Sequence, residues 1–324
     1  MQTSLQGCDG EMDLSTSGLF GGRTRLLGFH CMANSKKRLP TNIVGNFFVD
    51  STCIDCDTCR QLAPASFVES GDYSSVYRQP SSRKELLQAY QALLACPVGS
   101  IGTQSSDKAL MREAKASFPM KLEDNVYYNG FNSEKSFGAN SYFIRHPDGN
   151  WLVDSPRYIK QLVEFFDRMG GVKYIFLTHE DDVGDAGRYA RQFGAARLIH
   201  RDDADAVPDA EKIVEGRAPI AIHPDFTIIP VPGHTDGSMA LLYKDRYLFT
   251  GDHMAWDREA NGLRLATVYV WNEEILRQST AKLLEFNFEW VIPGHGDRKQ
   301  LPADQMKEAL RRLLQGREER SSIS

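Results

Sequence analysis

The chain has 324 residues, of which 41% are hydrophobic, 25% charged and 10% aromatic, and it carries a net charge of −5. This is a globular composition with apolar mass for a real core, and the length exceeds one typical domain, so two domains are expected. No stretch approaches the ~20 apolar residues of a membrane span, and the basic surplus of a general nucleic-acid binder is lacking; neither a membrane nor a nucleic acid is an expected partner.

Residues 1–40 show no sustained apolar period. They read as a disordered tail, with Met32 as an alternative start, or as a targeting segment carrying Arg23, Arg25, Lys36, Lys37 and Arg38. The acids Asp9, Glu11 and Asp13 speak against a transit peptide, and the apolar stretch of a secretory signal is lacking. Residues 41–105 read as a compact unit: a strand at Asn46–Asp50, a cysteine cluster, a turn-rich stretch through Gly71-Asp72-Tyr73 and a helix over 82–95. Residues 106–135 read as a connector. From 136 to the end, short strands (142–145, 151–154, 174–178, 227–231, 241–243, 247–250, 290–292) alternate with helices near 157–169, 185–193, 271–286 and 303–315. The first of these helices carries Ile159, Leu162, Val163 and Phe166 at helical spacing. His146–Asn150 and Lys244–Arg246 are hairpin-like turns. The fold class is α+β.

Four of the six cysteines are grouped. Cys53-Ile54-Asp55-Cys56-Asp57-Thr58-Cys59 is a C-x2-C-x2-C run, and Cys96-Pro97 follows beyond the helix. Thiolates at this spacing wrap a cubane iron–sulfur cluster, three from one tight loop and the fourth from a remote Cys-Pro. Tetrahedral zinc is the competing reading, although zinc ribbons pair two separate C-x2-C knuckles. Residues 44–104 resemble a single-cluster bacterial-type ferredoxin domain, which implies one [4Fe-4S] cluster on Cys53, Cys56, Cys59 and Cys96. A cluster also implies a reducing compartment, so a cytoplasmic location is expected, or a plastid stroma if residues 1–31 are a transit peptide. Cys8 and Cys31 read as inert thiols.

Downstream, four motifs each place His or Asp just past an apolar strand, beside Gly or Pro that permits a sharp turn. They are Thr178-His179-Glu180-Asp181-Asp182-Val183-Gly184-Asp185, Pro232-Gly233-His234-Thr235, Gly251-Asp252-His253 and Pro293-Gly294-His295-Gly296. Strand ends converging on one edge form a rigid platform for metal ligands. Over residues 136–316 this set resembles the metallo-β-lactamase superfamily, which implies a four-layer αββα sandwich behind the ferredoxin-like unit.

The resemblance implies that His179, Asp181, His234, Asp252 and His295 are the metal ligands, Asp252 being the bridging aspartate. The first motif departs from the family's H-x-H-x-D-H: Asp181 stands at the second histidine, Val183 at the aspartate and Gly184 at the last histidine. The second metal position keeps only Asp252 and His295, so one divalent ion (iron, zinc or manganese) is expected. Asp182 and Asp185 are open as substitutes, with helix capping the simpler role for Asp185.

Asp181, Asp252 and His295 are the expected catalytic residues. A metal-dependent hydrolase of ester- or thioester-like small molecules is the leading functional reading. An iron-dependent oxidoreductase fed by the cluster, with or without a redox partner protein, is the alternative, and a degenerate metal-binding or electron-transfer module the third. A symmetric homodimer is compatible with a chain of this size.

Overall fold

Two hydrophobic periodicities organise the larger part of the chain. In the strand Met239–Tyr243, Met239, Leu241 and Tyr243 belong to one apolar cluster while Ala240 and Leu242 belong to another. Period-two alternation with both faces apolar is the pattern of a strand buried on both sides. The first cluster fills the space between two sheets; the second, which includes Met306 and Leu310, lies between one sheet and its covering helix. This computed structural model describes residues 33–266 and 268–316.

One sheet has seven strands, in the order Lys212–Val214, Ala196–His200, Tyr174–Phe176, Trp151–Val153, Tyr142–Ile144, Val126–Tyr128 and Met120–Glu123. Its first four strands are parallel and the rest antiparallel. The other sheet has six, in the order Ile220–His223, Phe226–Pro230, Met239–Tyr243, Tyr247–Gly251, Trp290–Pro293 and Lys299–Gln300. Tyr247–Gly251 and Trp290–Pro293 run parallel, joined through the helix Glu273–Lys282, as a parallel pair requires a long crossover. The helices Lys160–Arg168 and Ala186–Phe193 bury Leu162, Phe166, Ala186 and Tyr189 in the cluster that holds the first sheet. Phe166 stacks on Phe143 with ring centroids 4.9 Å apart. The result is the expected α+β sandwich. At the Lys244–Asp245 hairpin both residues have positive φ, the geometry of a tight turn that matches strand twist.

The cysteine-bearing segment is built around Phe47–Val49, paired antiparallel with Ile101–Thr103, and the hairpin Phe67–Ser70/Tyr73–Val76. The helix Arg83–Ala95 starts at a reciprocal cap: Ser82 Oγ accepts from Glu85 N–H, and the Glu85 carboxylate accepts from Ser82 N–H.

Three expectations change. Residues 106–135 are more than a connector, because they hold the helix Lys108–Ala116 and two strands that complete the seven-stranded sheet. Within residues 33–40, Leu39 is buried and Arg38 bridges to Asp50, so this part is no tail. The readings of residues 1–32, and of Cys8 and Cys31 with them, lie outside the described residues. The helix expected over 271–286 is shorter, Glu273–Lys282, and tightens into a 3-10 turn at Leu283–Glu285. No helix among the described residues is long and apolar enough to cross a membrane.

Candidate functional site

Cys53, Cys56, Cys59 and Cys96 are free thiols, Cys59 and Cys96 being buried. Asp55 and Asp57, the residues flanking Cys56, both adopt a left-handed backbone, a conformation that disfavours side chains other than Gly, Asn and Asp. Arg60 holds both turns, with Nη1 2.6 Å from Asp55 Oδ1 and Nε 2.6 Å from Asp57 Oδ1. Burial, reinforced by the neighbouring cysteines, pushes the Cys56 thiol up to about 12 and the Cys59 thiol well above its ordinary value. Burial thus disfavours the thiolates of Cys53, Cys56 and Cys59, which a cationic group among the clustered sulfurs would stabilise. The fourth wall of the cradle is Gly138, where a Cβ would lie 2.6 Å from Cys56 Cβ and 2.9 Å from its Sγ. Only glycine fits there. The cradle suits an iron–sulfur cluster.

The metal site forms where four strands end. After Tyr174–Phe176 the chain stays extended to His179 and then makes a single 3-10 turn, Glu180–Asp182. Successive residues of such a turn point ~120° apart. Asp181 therefore faces the opening, its side chain 41% exposed, while Asp182 turns fully inward.

His179, His234 and Asp252 form one group with ligand atoms within 4.8 Å of one another; Asp182, Asp252 and His295 form a second. In the first, Asp252 Oδ2 is 3.7 Å from His179 Nε2 and 3.9 Å from His234 Nε2. Asp181 Oδ2 stands on the same side, 3.6 Å from His234 Nε2 and 3.9 Å from His179 Nε2. In the second, His295 Nδ1 is 2.8 Å from Asp252 Oδ2. A Cβ at Gly294 would lie 2.6 Å from Asp252 Oδ1 and 2.8 Å from Asp182 Oδ2, so glycine lets these carboxylates close up.

The chemistry of this donor set fits cations. His179 Nε2, both ring nitrogens of His234 and both carboxylate oxygens of Asp182 are buried without a hydrogen-bond partner, which is costly unless something else satisfies them. Burial and the nearby Asp252 and Asp154 push the Asp182 carboxyl well above its ordinary value. Burial also works to raise Asp252, but His295, His179 and His234 pull it well below the usual range. His295 rises to about 9, desolvation opposing its charge and the Asp252 carboxylate winning.

The hydrogen bonds fix the orientation of two rings. Thr178 Oγ1 donates to Asp154, at 3.0 Å, and so accepts from His179 Nδ1 at 3.0 Å. His179 thus carries its proton on Nδ1 and presents the Nε2 lone pair to the site. His295 Nε2 is 3.2 Å from the Phe137 carbonyl. A carbonyl only accepts, so Nε2 keeps its hydrogen and Nδ1 faces Asp252.

The expected residues His179, Asp181, His234, Asp252 and His295 are thus all brought together. Asp182 joins them: the second position, read from the sequence as keeping two ligands, has three converging side chains. Asp185 does not. Its carboxylate takes Lys135 Nζ at 2.8 Å and Tyr158 N at 2.8 Å, and it makes no side-chain cap on the helix it precedes. The capping role expected for it is replaced by these two contacts. His253 is buried, bonds Thr280 Oγ1 at 2.9 Å and belongs to neither donor group.

Two supporting residues are absent from the sequence reading. Asp154 orients His179 through Thr178, and its signal was present, an aspartate just past an apolar strand like Asp252. Asp203 accepts from Glu180 N at 3.0 Å, Thr235 Oγ1 at 2.6 Å and Gly237 N at 2.9 Å. It ties the His179 loop to the His234 loop, with no local pattern to mark it.

Both parts of the chain are similar to known proteins. Residues 49–103 match the 4Fe-4S single cluster domain of ferredoxin I, and residues 136–295 match the metallo-beta-lactamase superfamily. A hydroxyacylglutathione hydrolase of Anaeromyxobacter dehalogenans is 40% identical over 80 residues, 24% of this chain and 30% of that one. One from Vibrio vulnificus is 28% identical over 122 residues, 37% of this chain and 49% of that one. The chain therefore spans less than half the length of these relatives. The uncharacterized protein YobT of Bacillus subtilis is 22% identical over 215 residues, 56% of this chain and 92% of that one. Among solved structures, the metallo-beta-lactamase DIM-1 is similar with a TM-score of 0.48 and 18% identity, covering 60% of this chain and 95% of that one. Residues 136–295 of this chain belong to the metallo-β-lactamase superfamily, and they follow a single-cluster [4Fe-4S] ferredoxin-type domain.

Proposed function

We propose that the chain is a metal-dependent hydrolase of thioesters or related esters, with two adjacent metal positions that share Asp252. The supporting observation is the pair of buried donor groups, His179/His234/Asp252 and Asp182/Asp252/His295, with their unsatisfied atoms. His179, His234, Asp252 and Asp181 would hold the first ion, and Asp182, Asp252 and His295 the second. A divalent ion in such a site makes water a nucleophile at neutral pH and polarises a carbonyl. Replacing an imidazole by the Asp181 carboxylate moves the preference from zinc alone toward iron or manganese.

The chain's own residues supply the rest. Asp181 is half exposed at the opening, and the His234 imidazole 3.6 Å away, with His179 behind it, holds its carboxyl below the ordinary range. It is ionised at neutral pH and available to accept a hydrogen bond from an incoming water. Thr178 and the Phe137 carbonyl fix the two imidazoles as described. Trp271, whose N–H bonds the His234 carbonyl at 2.8 Å, and Phe137 are 52% and 63% exposed. Both residues are tied by their backbones to site histidines, and their exposed apolar side chains would suit the acyl part of a small substrate.

The test is hydrolysis of a hydroxyacylglutathione, with simple thioesters and aryl esters beside it, by protein purified anaerobically and analysed for metal. Thioester hydrolysis that a chelator removes and a divalent ion restores is the expected result. A second reading, an iron-dependent oxidoreductase, is favoured by the contact of Gly138 with Cys56 and of Phe137 with His295. Iron beyond the cluster, reducible through it, together with no hydrolysis by protein loaded with any divalent ion, would establish that reading instead.

A further inference from the structure

The described residues all lie within one compact unit, and inside it residues 131–140 are shared by both centres. On one side, Gly138 leaves no room for even a Cβ against Cys56, and its positive φ is one that glycine adopts freely. The Gly138 carbonyl accepts from Asn132 Nδ2 at 2.7 Å and from Thr58 Oγ1 at 3.3 Å; the same hydroxyl accepts from the Cys56 thiol at 3.4 Å. On the other side, the Phe137 carbonyl holds His295 Nε2, and Asn140 N–H donates to the Gly294 carbonyl at 2.7 Å. Asn140 Nδ2 reaches back to Gln61 Oε1 at 3.1 Å, on the short helix that contains Cys59.

A second tie runs in parallel. Arg258 Nη2 is 3.1 Å from Asp57 Oδ2 and its Nη1 donates to the Arg60 carbonyl at 3.0 Å, both in the cysteine loop. Its Nε is 2.7 Å from Asp297 Oδ2, two residues after His295. Thus the path from Cys56 to His295 is short: Gly138, with no room for a Cβ against the thiol, the peptide group that joins it to Phe137, and the hydrogen bond from the imidazole to the Phe137 carbonyl.

We propose that residues 131–140, with Arg258, couple the oxidation state of a cluster on the cysteines to metal affinity at His295. The physical route is through the Phe137 carbonyl. Its pull on His295 Nε2–H sets the basicity of Nδ1, the nitrogen facing Asp252, as outer hydrogen bonds do for ligating histidines. One electron more or less on the thiolate-bound group changes the charge against Gly138 and Thr58, and the packed segment has no slack to absorb the response locally. Coupling of this kind is reciprocal: whatever factor reduction applies to metal affinity, metal applies to reduction. An added cation favours the electron-rich state, so the metal-loaded protein has the higher reduction potential. The inference goes beyond the hydrolase reading and holds for any substrate.

The test needs no turnover. Anaerobically purified protein, verified for cluster iron, is titrated potentiometrically with its visible spectrum as readout. The titration is made once with the divalent site filled by zinc, which is redox-silent, and once after zinc is dialysed out. We expect a higher midpoint with zinc; a tenfold tighter zinc affinity in the reduced state corresponds to about 59 mV. Zinc affinity measured directly in the oxidised and reduced protein should differ by the same factor. Gly138→Ala, which forces the segment off Cys56, should lose at least half of the shift, whereas Phe137→Ala, which keeps the carbonyl, should retain it. If Gly138→Ala fails to hold the cluster, Arg258→Gln takes its place with the same expectation. Equal midpoints with and without zinc in the native sequence would overturn the proposal, as would a full shift surviving in both Gly138→Ala and Arg258→Gln. Absence of hydrolysis leaves these outcomes unaffected, so the two proposals fail separately.

Discussion

Asp181 and Asp182 are consecutive in the chain and serve different donor groups. Asp181 Oδ2 stands 3.6 Å from His234 Nε2 on the open side, while Asp182 is completely buried and converges with Asp252 and His295. The 3-10 turn between His179 and Val183 makes the division, since a turn of three residues separates neighbouring side chains by a third of a circle. One short motif thus supplies a carboxylate to each side of Asp252.

Replacing Asp182 by Asn should lower the divalent metal beyond the cluster from about two equivalents to about one. Hydrolysis should fall at least a hundredfold, because even outer-shell partners of a ligand are worth about 10–100-fold in affinity or activity. Metal analysis on matched preparations checks the first expectation, and kcat on the same samples checks the second.

The Asp185→Asn variant is the contrasting case. Asp185 pairs with the exposed Lys135 and caps Tyr158 N–H, with no donor atom in the site. Metal content should stay unchanged, and stability should fall by no more than about 1 kcal/mol, the scale of an ion pair with one solvated partner. A loss of metal here would make Asp185 a ligand after all.

Removing the charge of Asp203 should loosen two loops at once. Its carboxylate accepts three hydrogen bonds, from Glu180, Thr235 and Gly237. Asp203→Asn leaves a buried donor facing donors, so a loss of about 2–4 kcal/mol is expected in denaturant unfolding. Metal affinity should weaken in the same variant, because His179 and His234 sit one residue from Glu180 and Thr235.

Acid should destabilise the protein through His253. Burial, with the charge of His234 acting in the same direction, lowers it from 6.5 to about 3. The folded state therefore refuses a proton that the unfolded chain accepts. The contribution to stability is complete above pH 6.5 and is lost progressively as pH falls toward 3. Thermal unfolding between pH 7.5 and 5 should show a smaller acid-induced drop in Tm for His253→Gln than for the native sequence.

Much of this organisation is legible along the chain. The apolar run at 241–243 marks a strand, and the spacing of the Cys53–Cys59 run favours an iron–sulfur cluster over zinc. The four strand-end motifs mark the metal site because a ligand, a sharp turn and an apolar strand are neighbours in sequence. The strands at 120–128, by contrast, read as a connector, the first an edge strand of mixed polarity and the second only three residues long. Asp203 gives no local sign, since its partners lie 23 to 34 residues away.

What the sequence determined by itself is the inventory: four thiols, three histidines and the aspartates Asp181 and Asp252, each just past a strand or in a tight loop. Tertiary structure decided how they are shared. Val183 and Gly184 hold two positions that ligands occupy elsewhere in the family, and a linear register leaves the second metal position with two ligands. The folded turn brings a third side chain toward that position by rotating Asp182 inward, because side-chain direction depends on backbone dihedrals that no register encodes. The contact of Gly138 with Cys56 and of the adjoining Phe137 with His295 joins residues more than 75 positions apart. Packing across that distance places the two centres on one wall.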